Sequence, residues 1–350
     1  MAKSPVVWVV VLNWNGLADT LACLHSLRAL RYTNRRIVVV DNGSTDGSVV
    51  ALRALASDRS IDLVESDTNL GYAGGNNLGI GYALDRGADF ILVLNNDATA
   101  DSMLLDELLG AAERYPEAGC FGPWIFYMHD PKRLWFAKAE WSSDSFAFTL
   151  PGMGQLATEV PAETTGTDYV CGAALFFRAN VVRQVGLLDE RYFLVYEESD
   201  WCYRARRAGF GCLTVPAARV WHNVSASFGG DGTPLRTYFS TRNKLLWGET
   251  HVSRREFFGI ARRIARRLYP RFVIDRRPGI PAARVWLWAY IGFIRDVSRM
   301  INDPLEVARR RAVADYVLRR FGDCPPKIRA LTKAWVAARS PTTTPGNPGN

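Results

Sequence analysis

The first hundred residues switch repeatedly between two hydrophobic periods. Short β-branched or aromatic runs at Val6–Asn13, Ile37–Asp41, Ile61–Glu65 and Phe90–Asn95 each close on polar residues. Between them, Leu17, Leu21, Leu24 and Leu27 recur at spacings of 4, 3 and 3. Leu104, Leu108, Ala111 and Tyr115 recur at 4, 3 and 4, again the period of an amphipathic helix. Strands that are apolar on both faces and alternate with helices predict a parallel sheet covered on both sides. Ligands of such sheets bind beyond the carboxyl ends of the strands. Those ends carry Asn13-Trp14-Asn15, Asp41-Asn42-Gly43-Ser44 and Asn95-Asn96-Asp97, so polar side chains gather where a site is expected.

From about residue 119 to 230 the alternation breaks down. Phe121–Tyr127 and Tyr169–Phe177 read as strands, with a Gly/Pro-rich loop near 151–166 and a helix over about 198–208 that stops at Gly209. Past residue 250 the pattern is that of basic helices, and residues 341–350, PTTTPGNPGN, have the composition of a disordered tail. The apolar run from Pro5 to Leu12 is too short for a membrane span and no small-residue cleavage site follows, so it reads as a buried strand.

Composition narrows the class. Of 350 residues, 48% are hydrophobic and 22% charged, the proportions of a soluble globular chain rather than a disordered one. Six scattered cysteines show no C-x-x-C and no metal-ligand spacing, which suits reduced, mostly structural thiols and a cytosolic compartment. Residues 1–250 hold 22 Lys and Arg against 28 Asp and Glu, whereas residues 251–350 hold 21 against 7. A mildly acidic part and a strongly basic one are expected to do different jobs.

Asp97, just past a buried strand, is a good hard-oxygen ligand for Mg²⁺ or Mn²⁺, ions that take one or two protein carboxylates and complete their shell with phosphates and water. The plainer alternative is that Asn and Asp merely end the strand and cap the next helix. Asp41 could accept from a ring N–H or a ribose hydroxyl, while Ser44 and Asp46 could equally cap the following helix. Asn69-Leu70-Gly71-Tyr72-Ala73-Gly74-Gly75-Asn76-Asn77 carries three glycines that let backbone amides approach a diphosphate. It is neither G-x-G-x-x-G nor a P-loop. Glu197, Glu198 and Asp200 crowd three carboxylates at a helix start, where the dipole accounts for one or two and a general base for another. His222 ends an apolar run and is open to a structural reading as well as a ligand one.

Taken in order, these blocks resemble the family 2 glycosyltransferases of the GT-A fold, particularly the branch that includes bacterial rhamnosyltransferases of cell-wall and surface-polysaccharide synthesis. The resemblance covers about residues 5–230. It rests on VVLNWNG, VVVDNGSTDGS, NLGYAGGNN, LVLNNDA, YVCGAALFFRANVVRQVGLLDERYF, YEESDWCYRARRAGF and VWHNVSAS. It implies a Rossmann-like mixed α/β sheet flanked by helices, with residues 1–230 binding a nucleotide sugar and catalysing transfer. Residues 231–335 would form a basic, mainly helical extension and 336–350 a disordered tail. It further implies donor contacts from Asn13, Asn15, Asp41, Asn42, Ser44, Asn69, Gly75, Asn76, Asn95 and Asn96. Asn95-Asn96-Asp97 stands where the family has D-x-D; with Asn at the first acidic position, Asp97 is that motif's sole carboxylate ligand for Mg²⁺ or Mn²⁺, joined by His222. The family's Glu-Asp base motif reads Glu197-Glu198 here, which points to Glu198 as base, with Glu197 and Asp200 as alternatives.

The expected reaction is transfer, with inversion, from a nucleoside diphosphate sugar to a hydroxyl of a glycan or lipid-linked glycan; dTDP-rhamnose is the leading donor. A catalytically inactive nucleotide-sugar binder and a nucleotidyltransferase are the alternatives. The former is opposed by the intact carboxylates, the latter by the absence of a basic Gly-rich loop after the first strand. In Arg254–Leu268 an apolar stripe of Phe257, Ala261, Ile264, Ala265 and Leu268 opposes Arg262, Arg263, Arg266 and Arg267. Such a helix suits either an anionic membrane surface or simple packing, and the uncharged Val285–Ile294 is too short to span a bilayer. The expectation is a cytoplasmic protein with a peripheral position on the inner face of the plasma membrane. No nucleic-acid module is recognised, and a homo-oligomer is left open.

Overall fold

Alternation along the first strand decides how the layers form. In β1 (Val7–Asn13), Val7, Val9 and Val11 pack to one face and Trp8 and Val10 to the other. The first face is covered by α1 (Leu17–Arg28) through Leu24 and Leu27, α2 (Ser48–Ser57) through Leu52, and α4 (Leu104–Arg114) through Leu104 and Leu108. The second is covered by α3 (Gly71–Asp85) through Ala73, Ile80 and Ala83, and by α6 (Glu197–Arg207) through Trp201 and Cys202. Each fully buried Val or Leu side chain contributes about 1.5–3 kcal/mol, so the two-sided burial of this strand holds the layers together.

The computed structural model describes residues 4–223, 232–268, 298 and 301–339. They group into two units, one formed by Met1–Val224 with Glu249–Glu256 and the other by Ser225–Gly248 with Phe257–Asn350. In the first, β2 (Arg35–Asn42), β3 (Asp62–Ser66) and β4 (Phe90–Asn95) join β1 in parallel, in the order β4-β1-β2-β3. Register sets Asn13 beside Asp41 and Leu12 beside Asn95, so the polar strand ends lie in one row.

Beyond β4 the sheet becomes mixed. After the short β5 (Ala98–Ala100) come β6 (Ala118–Tyr127), β7 (Leu134–Phe136), β8 (Glu140–Ser142), β9 (Ala147–Thr149), β10 (Thr165–Gly166), β11 (Ala174–Arg178) and β12 (Gly211–His222), with α5 (Ala179–Val185) after β11. β11 runs antiparallel to both β4 and β6, β12 is parallel to β6, and β5 pairs antiparallel with the end of β12. A register shift between Val215 and Arg219 splits β12, which re-aims its last residues toward β5. The strand expected over Tyr169–Phe177 begins only at Ala174, because the chain turns at Cys171 and Gly172 to meet the Tyr72 phenol.

The second unit is helical where described. It draws on α7 (Pro234–His251), α8 (Arg254–Leu268), α9 (Pro304–Val317) and α10 (Pro326–Ala337), with Asp303 capping α9 through a 2.8 Å bond from Leu305 N–H. On α8, Ile260 and Leu268 are buried, while Arg262, Arg263, Arg266 and Arg267 are exposed. Among the described residues, no helix is long and apolar enough to cross a membrane. The apolar segment 285–294 and the tail from 340 onward lie outside the described residues.

Candidate functional site

Three asparagines, one aspartate and two hydroxyls build the floor beyond β1 and β2. Asn96 Nδ2 donates to Thr20 Oγ1 at 3.0 Å, Thr20 Oγ1 donates to Asn13 Oδ1 at 2.8 Å, and Asn13 Nδ2 donates to Asp41 Oδ2 at 2.7 Å and to Ser44 Oγ at 3.1 Å. Ser44 N–H donates to Asp41 Oδ1, and Asn15 takes Thr45 N–H at 2.7 Å. One continuous network therefore ties the end of β4 to the loop after β2. Asn13 and Asp41 are fully buried, whereas Asn15, Ser44, Asn95 and Asn96 keep surface that a ligand can reach.

The glycine-rich block is not an open loop but the start of α3. Gly71 has φ +74, and a Cβ there would lie 2.5 Å from Phe193 O, so only glycine fits. Two residues expected to meet a donor are placed otherwise. Gly75 faces the sheet, where a Cβ would meet Leu12 at 2.5 Å, and Asn42 is 2% exposed with its amide committed to Asn69 Oδ1, Gly71 O and Leu70 N–H. Both hold α3 against β1 and β2. Asn69 remains at the rim; Asn76 donates to Tyr72 O, and its buried Oδ1 has no partner among the described residues.

At the far end of the row the β5–β12 ladder sets His222 opposite Ala98, with Asn223 N–H donating to Asp97 O at 2.9 Å. Two side chains 125 positions apart in sequence thus face each other, His222 Nε2 lying 3.0 Å from Asp97 Oδ1. That approach lacks hydrogen-bond alignment: Oδ1 is buried and has no donor among the described residues. An orphaned carboxylate oxygen beside an imidazole nitrogen is the donor set expected of a divalent-cation site, since burying either without a partner is costly. Asn95 Nδ2 sits 3.3 Å from the same imidazole nitrogen, and the Trp135 ring packs 4.8 Å from the imidazole.

The third group of residues arrives on α6. Phe193, Val195 and Tyr196 all have positive φ (63°, 71° and 82°), which is costly for non-glycine residues and most of all for a β-branched one. The strain is matched by anchoring: Phe193 O accepts Tyr72 N–H at 2.7 Å and Ala73 N–H at 3.2 Å, capping the free amides at the start of α3. Glu197 and Glu198 follow at the first turn of α6. Burial pushes both carboxyls above the usual carboxylate range. Burial raises the Tyr72 phenol, and the charges of Glu197, Glu198 and Asp97 raise it further.

Asp200 is separated from that pair by its partners. Arg204 Nε reaches one oxygen at 2.8 Å and His251 Nε2 the other at 2.7 Å, with the His251 side chain fully buried. Burial alone would raise the Asp200 carboxyl, but the His251 and Arg204 contacts outweigh it and hold it below its usual value. Its oxygens are engaged in holding the first turn of α6. His251→Ala is expected to lower stability by about 1–3 kcal/mol, the cost of leaving a buried polar partner unmatched. An unchanged denaturant midpoint would remove His251 from this clamp.

Thr20, Tyr72 and His251 escaped the sequence reading. Thr20 had a signal, a hydroxyl on the buried stripe of Leu17, Leu24 and Leu27; Tyr72 and His251 had none.

A family model described as "Glycosyl transferase family 2" matches residues 8–185, just over half of the chain. The chain is 30% identical over 215 residues to an N-acetylglucosaminyl-diphospho-decaprenol L-rhamnosyltransferase of Mycobacterium tuberculosis, covering 56% of this chain and 68% of that protein. It is 24% identical over 255 residues to the dTDP-rhamnosyl transferase RfbF of Shigella flexneri, covering 70% and 81%. Among solved structures it resembles GalNAc-T7 with UDP, GalNAc and Mn²⁺ at a TM-score of 0.59 and 14% identity, covering 86% of this chain and 58% of that one. The shared architecture is the GT-A fold, a mixed α/β sheet flanked by helices.

Proposed function

Because the chain belongs to glycosyl transferase family 2, we propose that it is an inverting, divalent-metal-dependent transferase that moves rhamnose from dTDP-rhamnose to a hydroxyl of a lipid-linked glycan. The observation that carries this reading is the buried, unsatisfied Asp97 Oδ1 facing His222 Nε2 at 3.0 Å beyond the strand ends. Rhamnose is favoured by the relatives described above, one of which also supplies the precedent of a diphospho-decaprenol acceptor.

Asn13, Asp41 and Ser44 hold the loop on which the nucleoside rests, with Asn15, Asn69, Asn76, Asn95 and Asn96 around it. Asp97 and His222 would hold Mg²⁺ or Mn²⁺. When bound, such an ion neutralises the charge that builds on a departing diphosphate. Glu198 accepts the acceptor hydroxyl's proton as that oxygen attacks the anomeric carbon from the face opposite the diphosphate, which leaves with the bonding pair and inverts the centre. Burial raises the Glu198 carboxyl, which makes it a stronger base, and Asp200 positions the helix that bears it.

A panel of nucleotide sugars, assayed for Mn²⁺-dependent hydrolysis and for transfer to a polyprenyl-diphosphate-linked sugar, tests the reading. dTDP-rhamnose is expected to be the best donor. A preference for another donor refutes the rhamnose assignment, and no turnover with any donor refutes the enzymatic one.

In this reading residues 1–230 carry the chemistry and residues 231–335 bring the protein to a membrane surface where lipid-linked acceptors reside. Support comes from the exposed Arg262, Arg263, Arg266 and Arg267 along one helix, which suit anionic headgroups. Flotation with anionic liposomes at low salt is expected, and flotation indifferent to salt or lipid charge would contradict it.

A further inference from the structure

Outside the site described above, three thiols that are far apart in the sequence meet in the core. Cys120 on β6 and Cys212 on β12 are register partners on adjacent parallel strands, and Cys202 reaches down onto them from α6. The Cys120 and Cys202 sulfurs are 3.9 Å apart, and all three sulfurs lie within 4.8 Å of one another. Each of these residues is buried, and all six cysteines of the chain are free. Among the described residues no fourth His, Cys, Asp or Glu joins the group.

We propose that Cys120, Cys202 and Cys212 form a three-coordinate site for a soft, closed-shell metal ion of the copper(I) class. Three sulfurs within 4.8 Å of one another can close on one ion at the metal–thiolate bond length of about 2.3 Å with small side-chain adjustments. Soft thiolate ligands select such ions, whereas the oxygen and imidazole pair at Asp97 and His222 suits a harder one. The three cysteines belong to one buried apolar cluster that also holds Val170, Leu175, Phe177 and Trp201. Binding releases the thiol protons and leaves three thiolates on the ion. Cys202 lies one helical turn beyond Glu198, so a loaded site pins to the sheet the helix face that presents the acidic pair.

The test uses the full-length protein, reduced and handled without oxygen, with excess Mg²⁺ to mask harder sites. Titration with Cd²⁺ is expected to give a near-ultraviolet sulfur-to-metal charge-transfer band that saturates at one ion per chain. Copper(I), offered in competition with a chromogenic chelator, is expected to bind with the same stoichiometry. Even outer-shell partners of a metal are worth about 10–100-fold in affinity, so Cys202→Ser and Cys212→Ser are each expected to lose at least about 10-fold. Pulsed alkylation of the wild type in mild denaturant decides the case without variants: Cd²⁺ should protect Cys120, Cys202 and Cys212, and leave Cys23, Cys171 and Cys324 unprotected. No charge-transfer band, a band that survives in both folded variants, or protection that spares these three positions would overturn the site. None of these readouts depends on transferase activity.

Discussion

Glu198→Gln is expected to lower turnover by about 10²–10⁴-fold, the usual contribution of a positioned general base, while donor binding stays near the wild-type value. Burial makes a negative charge costly for both members of the acidic pair and raises both carboxyls, and the motif position singles out Glu198 as the base. Glutamine at 198 keeps the shape and removes the base. Glutamine at 197 leaves the Glu198 carboxylate in place and is expected to keep most turnover, so the two variants together identify the base. The pH profile has a definite sign as well. A carboxyl raised by desolvation becomes protonated as pH falls, so the acid limb of kcat/KM is expected above the ordinary carboxylate range. Stability runs the other way: the raised carboxyls cost nothing while protonated, and their penalty grows as pH rises through their folded-state values. Equal losses in Glu197→Gln and Glu198→Gln, or an acid limb near pH 4, would refute the assignment.

Asp97→Asn is expected to reduce transfer by at least about 10³-fold, because stabilising the departing diphosphate is worth several kcal/mol and each 1.36 kcal/mol is tenfold in rate. The Mn²⁺ dependence of donor binding should weaken in parallel, read by electron paramagnetic resonance of free Mn²⁺. The same substitution should leave unfolding stability unchanged or higher. Asp97 is 7% exposed, and its Oδ1 accepts no bond from a described residue, so the native carboxylate is held at a cost that an amide relieves. A variant that lost stability in proportion to activity would show Asp97 to be a structural residue instead.

The two-period pattern of the first hundred residues was sufficient to locate β1 to β4 and the helices between them. Each strand is buried on both faces, and continuous apolar runs bounded by polar ends leave few other solutions. The same pattern located Asn13, Asp41 and Asp97, because a strand's carboxyl end is fixed once the strand is. Identity at motif positions did the rest for Glu197, Glu198 and His222, whose residue types were legible even though their geometry was not.

What the tertiary structure alone decided is every relation that crosses the sheet. No local rule predicts that β11 inserts antiparallel between β4 and β6, or that the split in β12 carries His222 to Asp97, since pairing over such separations depends on packing rather than propensity. The three candidate bases looked alike in the sequence, and the fold sorted them by partner: His251, 51 positions beyond Asp200, removes that carboxylate from contention and leaves the pair at 197 and 198. Likewise Gly75 and Asn42 belonged to a donor motif by position, yet the close approach of α3 to β1 and β2 claimed them for packing. Residue type and period along the chain set where polar groups could gather; only the meeting of distant elements in a close-packed core determined which of them remain unpaired and so are available for chemistry.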